Sequence, residues 1–177
     1  MSWLRRTNPG TQPGGGGGDR NVYWGLRQQI LALDPTQIGM AASSGHPRVY
    51  AGLMEMGLGA DVATLVVVAD GTTSLYWSTG GGIIGVGFHE PVKGPSRDFL
   101  AALERHVDEL GPDPTGETPT GGIIHVRALT FDRGHLLAAG PEGDFAEKRN
   151  PLWEVFFAGH ALIAVIRQLP AVKKGLP

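Results

Sequence analysis

Cysteine is absent from all 177 residues, which excludes disulfide cross-links, thiolate nucleophiles and sulfur-ligated metals. Charge is scarce as well: Asp, Glu, Lys and Arg make up 18% of the chain and the net charge is −2. Such a near-neutral chain offers no electrostatic footprint for nucleic acid or an anionic lipid surface. Long apolar runs are missing too. The most hydrophobic stretch, VFFAGHALIAVI from Val155 to Ile166, is enclosed by Glu154 and Arg167 and falls well short of the roughly 20 residues that cross a bilayer. The opening MSWLRR leads into proline and glycine rather than an apolar segment, so no secretory leader is expected. The expected location is the cytoplasm, with no integral membrane segment, no nucleic-acid partner, no metal and no cofactor.

Catalytic patterns are equally sparse. The six histidines include no H-x-x-H or H-x-x-x-H pair, the spacing that a helix needs to point two imidazoles at one metal. Ser43, Ser44 and His46 lie close in sequence, yet no G-x-S-x-G elbow accompanies them. Asp70 and Asp132 stand in turn-forming runs with glycine and are expected to be turn residues. No two carboxylates stand at a readable spacing, and no convergent polar constellation is visible. An enzyme hidden here would reveal itself by a cleft joining Asp70, His89 or His125.

Glycine is what the chain has in abundance, 28 residues, with 13 prolines beside it. The run PGTQPGGGGG, Pro9 to Gly18, has nothing to bury and reads as a flexible tether. Residues 1–20 are therefore expected to be an N-terminal tail, 21–170 a single domain and 171–177 a short C-terminal tail. Ahead of the tether, SWLRR offers Trp3 as a contact for a partner, or is a disordered end.

Within the domain, Val22, Leu26, Ile30 and Leu33 recur at helical spacing and predict a first helix from about Asn21 to Leu33. Three strands are expected next, at Arg48–Gly57, Ala63–Ala69 and Thr72–Thr79, the last two joined by a tight turn at Asp70-Gly71. Residues Gly81–Phe88 offer a fourth. A second helix, from about Pro95 to Leu110, carries Phe99, Leu103, Val107 and Leu110 on one stripe. Residues 111–122 read as loop, Ile123–Phe131 and His135–Gly140 as a hairpin, and Asn150-Pro151 as the opening of a last helix running to about Leu169. Strands joined by hairpins favour an antiparallel sheet, so the fold class is α+β with five or six strands and three helices. This order, from about Asn21 to Leu169, resembles the profilin-like arrangement of roadblock and longin domains, and what the resemblance implies is architecture.

Two stretches bear on function. In STGGGIIGVG, Gly80, Gly82 and Gly85 fit the spacing G-x-G-x-x-G after a strand, but Gly85 and Gly87 oppose the helix that a dinucleotide fingerprint requires. The expected alternative is a strand whose bare face, at Gly85 and Gly87, admits a neighbour at short range. The last helix is apolar nearly all round, so its whole circumference should be covered, either within the monomer or by another chain. These readings name Trp3, Gly85, Gly87, Phe156, His160 and Ile163 as candidate interface residues. They point to a non-catalytic module that self-associates as a homodimer or docks on a cytoplasmic protein. The alternative is a small-molecule-binding sensory domain in which Tyr76, Trp77, Gly80, Gly81 and Gly82 line a pocket along residues 79–87.

Overall fold

The computed structural model describes residues 18–113 and 115–170; Trp3 and residues 171–177 lie outside them. Helix α1 covers Gly18–Leu31. Strands β1 (Val49–Leu58), β2 (Asp61–Val68) and β3 (Thr73–Trp77) follow, then a two-residue strand β4 (Gly82–Ile83). Helix α2 (Glu90–Arg105) leads to β5 (Gly111–Pro112), β6 (Ile123–Thr130) and β7 (Gly134–Pro141). A short α3 (Glu142–Ala146) and the long α4 (Trp153–Gln168) complete the described chain.

The strands form one antiparallel sheet in the order β4-β3-β2-β1-β6-β7-β5. The α+β class agrees with the sequence reading, but among the described residues there are seven strands and four α-helices. The extra strand β5 arises in the expected loop, because Gly111 and Pro112 pair with Leu137 and Leu136 on the sheet edge. The extra helix α3 is five residues long, too short to display an apolar period. Helix α2 begins before Pro95, with Pro91 in its first turn, where the missing N–H costs nothing.

Alternation along the central strands sends side chains to two cores. On one face Met54, Leu65, Leu75 and Val126 pack with Phe99 and Leu103 of α2 and with Val155, Leu162 and Ile166 of α4. On the other, Leu53, Val66, Tyr76 and Leu129 meet Tyr23 and Ile30 of α1. Since β1 and β2 are covered on both sides, β2 is buried at every residue after Asp61, which explains its near-continuous apolar sequence. The expected α1 stripe is met in part: Ile30 is buried and Leu26 and Leu33 pack partly buried on this core, but Val22 is 59% exposed, and Tyr23 and Arg27 are buried where the stripe did not place them.

The glycine stretch also departs from expectation. Gly85 is not in a strand; it has a φ of +67° and leads into a single 3₁₀ turn at Val86–Phe88. An added methyl there would meet nothing within 4 Å, so the reason for glycine is backbone conformation. At Gly87 a methyl would lie 1.7 Å from the Gly71 carbonyl oxygen. The close neighbour is real there, but it is this chain's own turn.

Candidate functional site

Helices α2 and α4 lie side by side over the sheet and leave a shallow groove of about 400 Å³ on their outer side. From α2 the groove takes Asp98, Ala101, Ala102 and Arg105; from α4 it takes Trp153, Glu154, Phe157 and Ala158. The helical period explains this set. Val155, Gly159, Leu162 and Ile166 are buried toward the sheet, which turns Phe157, Ala161 and Ala164 to solvent. Phe157 is 43% exposed, and its ring meets Trp153 edge-on with centroids 6.2 Å apart. Around this apolar floor, Arg105 Nη2 donates to Glu154 Oε2 at 3.0 Å, and His106 Nε2 lies 3.2 Å from the same oxygen. The hydrogen bond from Arg105 holds the Glu154 carboxyl below its usual pKa. Lys148 Nζ sits 4.5 Å above the Trp153 ring. An open apolar floor with charged edges is chemistry suited to a protein surface.

The polar groups of the molecule converge elsewhere, on the opposite face of the sheet. Tyr76, Thr64, Glu55 and His125 form a row across β3, β2, β1 and β6 through direct cross-strand pairing. From α1 above, Arg27 Nε donates to Glu55 Oε1 at 2.7 Å, and the Tyr23 hydroxyl meets Thr64 Oγ1 at 3.0 Å. Arg127 Nη1 pairs with the other Glu55 oxygen, and Arg127 Nε reaches Asp113 Oδ2 at 2.6 Å. Arg127 Nη2 donates to the Glu117 carbonyl and lies 3.3 Å from His125 Nδ1. Glu55 and Arg127 have no accessible surface and Arg27 is 5% exposed. Burial lowers both guanidinium pKa values, that of Arg127 to about 10, and raises the Tyr76 phenol. Two guanidinium groups and two carboxylates thus neutralise one another beneath α1. The arrangement fastens α1 and the loop through Asp113 and Glu117 to the sheet. It corrects the expectation that no polar constellation exists. Its sequence signal was two charges set in apolar strands, Glu55 between Met54 and Met56 and Arg127 between Val126 and Ala128; Arg27, followed by Gln28 and Gln29, gave none.

Comparison with protein-family models, with curated proteins and with solved structures finds no match.

The residues named from the sequence are distributed as follows. Phe156 is buried against Phe145 of α3, centroids 5.5 Å apart, and Ile163 packs half-buried on the same core. His160 is half-buried beside Phe156, with its Nε2 unpartnered among the described residues. The outward residues of α4 are their neighbours Trp153 and Phe157, one helical step round. Tyr76 and Trp77 point to opposite faces of β3, Tyr76 toward α1 and Trp77 toward the α2–α4 core, so the two do not line one pocket. Gly80 and Gly81 turn the chain at φ of 106° and 81°, and Gly82 pairs with Tyr76. His125 enters the ion cluster, whereas His89 stacks on the exposed Phe88 ring, centroids 4.2 Å apart. Asp70 is a turn residue that accepts from Thr72 N–H at 2.8 Å.

Proposed function

We propose that this chain is a non-catalytic, cytoplasmic protein-interaction module that docks on a protein partner through the outer face of α2 and α4. One observation carries the reading: Phe157, the large apolar side chain that α4 leaves exposed, shares a groove with the exposed Ala101 of α2, while Glu55, Arg27 and Arg127 are buried and paired with each other. An antiparallel sheet bearing helices supports the profilin-like, roadblock or longin assignment within the same proposal. No helix among the described residues is long and apolar enough to cross a membrane, consistent with a partner met in water.

A photo-crosslinking residue placed at Phe157 tests this in the native host. Adducts are expected at position 157 and not at the exposed Asp132 in the β6–β7 turn. If position 157 gives no adduct with any chain, the docking face is solvent-facing by nature and the reading fails. Phe157→Asp should abolish the adducts formed by a crosslinker at Ala158 while changing stability by no more than ~0.5 kcal/mol, as surface changes do.

A further inference from the structure

Helix α2 carries opposite charges at the two ends of the docking face, Asp98 and Arg105, and we propose that the occupant of this face is a second copy of this chain, with the two α2 helices packed antiparallel about a two-fold axis between Ala101 and Ala102. The inference rests on the interaction-module reading and gives it a partner and a register. Asp98, Ala101 and Arg105 are exposed on one side of α2, at helical spacings of three and four residues, and all three line the groove. Asp98 and Arg105 lie equally far from the proposed axis on opposite sides of it. An antiparallel copy therefore sets Asp98 against Arg105 of the partner subunit, and the reverse pair forms by symmetry. A parallel copy would instead oppose Asp98 to itself and Arg105 to itself, which like-charge repulsion disfavours.

Three further features agree with this register. Ala101 at the crossing lets the helix backbones approach to about 8–10 Å between axes. Phe157, beside α2, stands where the second copy's α2 would cover it. Arg105 is already drawn across the groove by Glu154 rather than free in solvent, so less side-chain freedom is lost when a second carboxylate arrives.

Sedimentation of the full chain is expected to show a concentration-dependent dimer. Asp98→Arg and Arg105→Asp each turn two attractive contacts into two repulsive ones and should raise the dissociation constant roughly tenfold. The double variant exchanges the signs and, with Glu154→Gln added so that position 105 does not face a like charge in its own chain, should return to within about threefold of a Glu154→Gln control. Because the chain contains no cysteine, Ala101→Cys supplies a unique thiol that should form an intersubunit disulfide under mild oxidation. The axis places the two residues within the roughly 7 Å between Cα atoms that such a bond tolerates. Asp132→Cys should not cross-link. A dimer that ignores both single reversals, is not rescued by the double, or fails to cross-link at position 101 overturns the register. A strict monomer overturns the second copy as occupant; if position 157 still photo-crosslinks to a different protein, the interaction-module reading stands without it.

Discussion

Helix α1 and the pair α2–α4 lie on opposite faces of one sheet and are attached to it by different means. On the α2–α4 side the layers touch directly. A methyl added to Gly52 would lie 2.6 Å from Leu103 Cδ2 and 2.9 Å from Phe99 Cε1, and one on Gly159 would lie 2.6 Å from Met54 Cε. On the α1 side the helix reaches the sheet through long side chains, Tyr23 to Thr64 and Arg27 to Glu55. Apolar contact is non-directional and rewards proximity. Buried ion pairs contribute little net stability but are costly when one partner is removed. The α1 layer is therefore specified by partners, and the α2–α4 layer by fit.

The largest test of that contrast is Glu55→Met. It leaves Arg27 and Arg127 buried without their shared carboxylate and should cost about 3–5 kcal/mol in urea unfolding. Arg27→Met added to it removes one of the stranded cations and should recover part of the loss, since Arg127 keeps Asp113 at 2.6 Å. Apolar contacts give the opposite order, with the double variant worse than the single. Simple additivity of the two losses would mean that the cluster is not an ionic fastening.

Of intermediate size is the pair Gly52→Ala and Gly25→Ala. At Gly52 the methyl must displace Leu103 and the Phe99 ring, an overpacking cost of about 1–3 kcal/mol. At Gly25, within α1, the methyl meets nothing within 4 Å, so the better helix propensity of alanine should stabilise by about 0.5–1 kcal/mol. Opposite signs in thermal unfolding are expected. Equal signs would show that Gly52 does not stand as close to Leu103 and Phe99 as described. A smaller companion measurement concerns Gly85, where Asn, which tolerates positive φ, should cost less than Val.

These same positions show what a sequence can and cannot disclose. The β1–β2–β3 meander and the stripe Phe99, Leu103, Val107 and Leu110 were legible because each rests on local apolar periodicity, and all four stripe residues are buried. The inward face of α1 was legible only in its apolar part, Leu26 and Ile30. Nothing local shows that Arg27 turns inward, because the carboxylate that receives it, Glu55, lies 28 positions away. The two glycines expected to admit a close neighbour divide for a related reason: Gly87 does so, while Gly85 serves a φ, and only the neighbours tell these apart. That α4 is apolar all round was plain from its sequence. Which side stays open, and hence that Phe157 and not Phe156 faces outward, depends on where α2 and α3 pack.

The smallest expected effect compares the two faces through their histidines. Burial lowers the pKa of His125 on the α1 side and of His160 on α4. The unfolded chain then takes up protons near the ordinary histidine pKa of ~6.5 that the folded chain refuses. Stability is therefore full above that pH and declines as the pH falls below it. The neighbours differ in sign. Glu142 partly offsets the effect at His160. At His125, Asp113 and the Glu117 carbonyl favour the proton, but Arg27 opposes it and His125 Nδ1 faces Arg127 Nη2 at 3.3 Å. Protonation there sets a third cation in the cluster and takes up the nitrogen lone pair that Arg127 faces. His125→Asn should consequently flatten the acid side of the stability profile between about pH 7 and 5 more than His160→Asn does. If His160→Asn has the larger effect, the ion cluster is not the more selective of the two attachments.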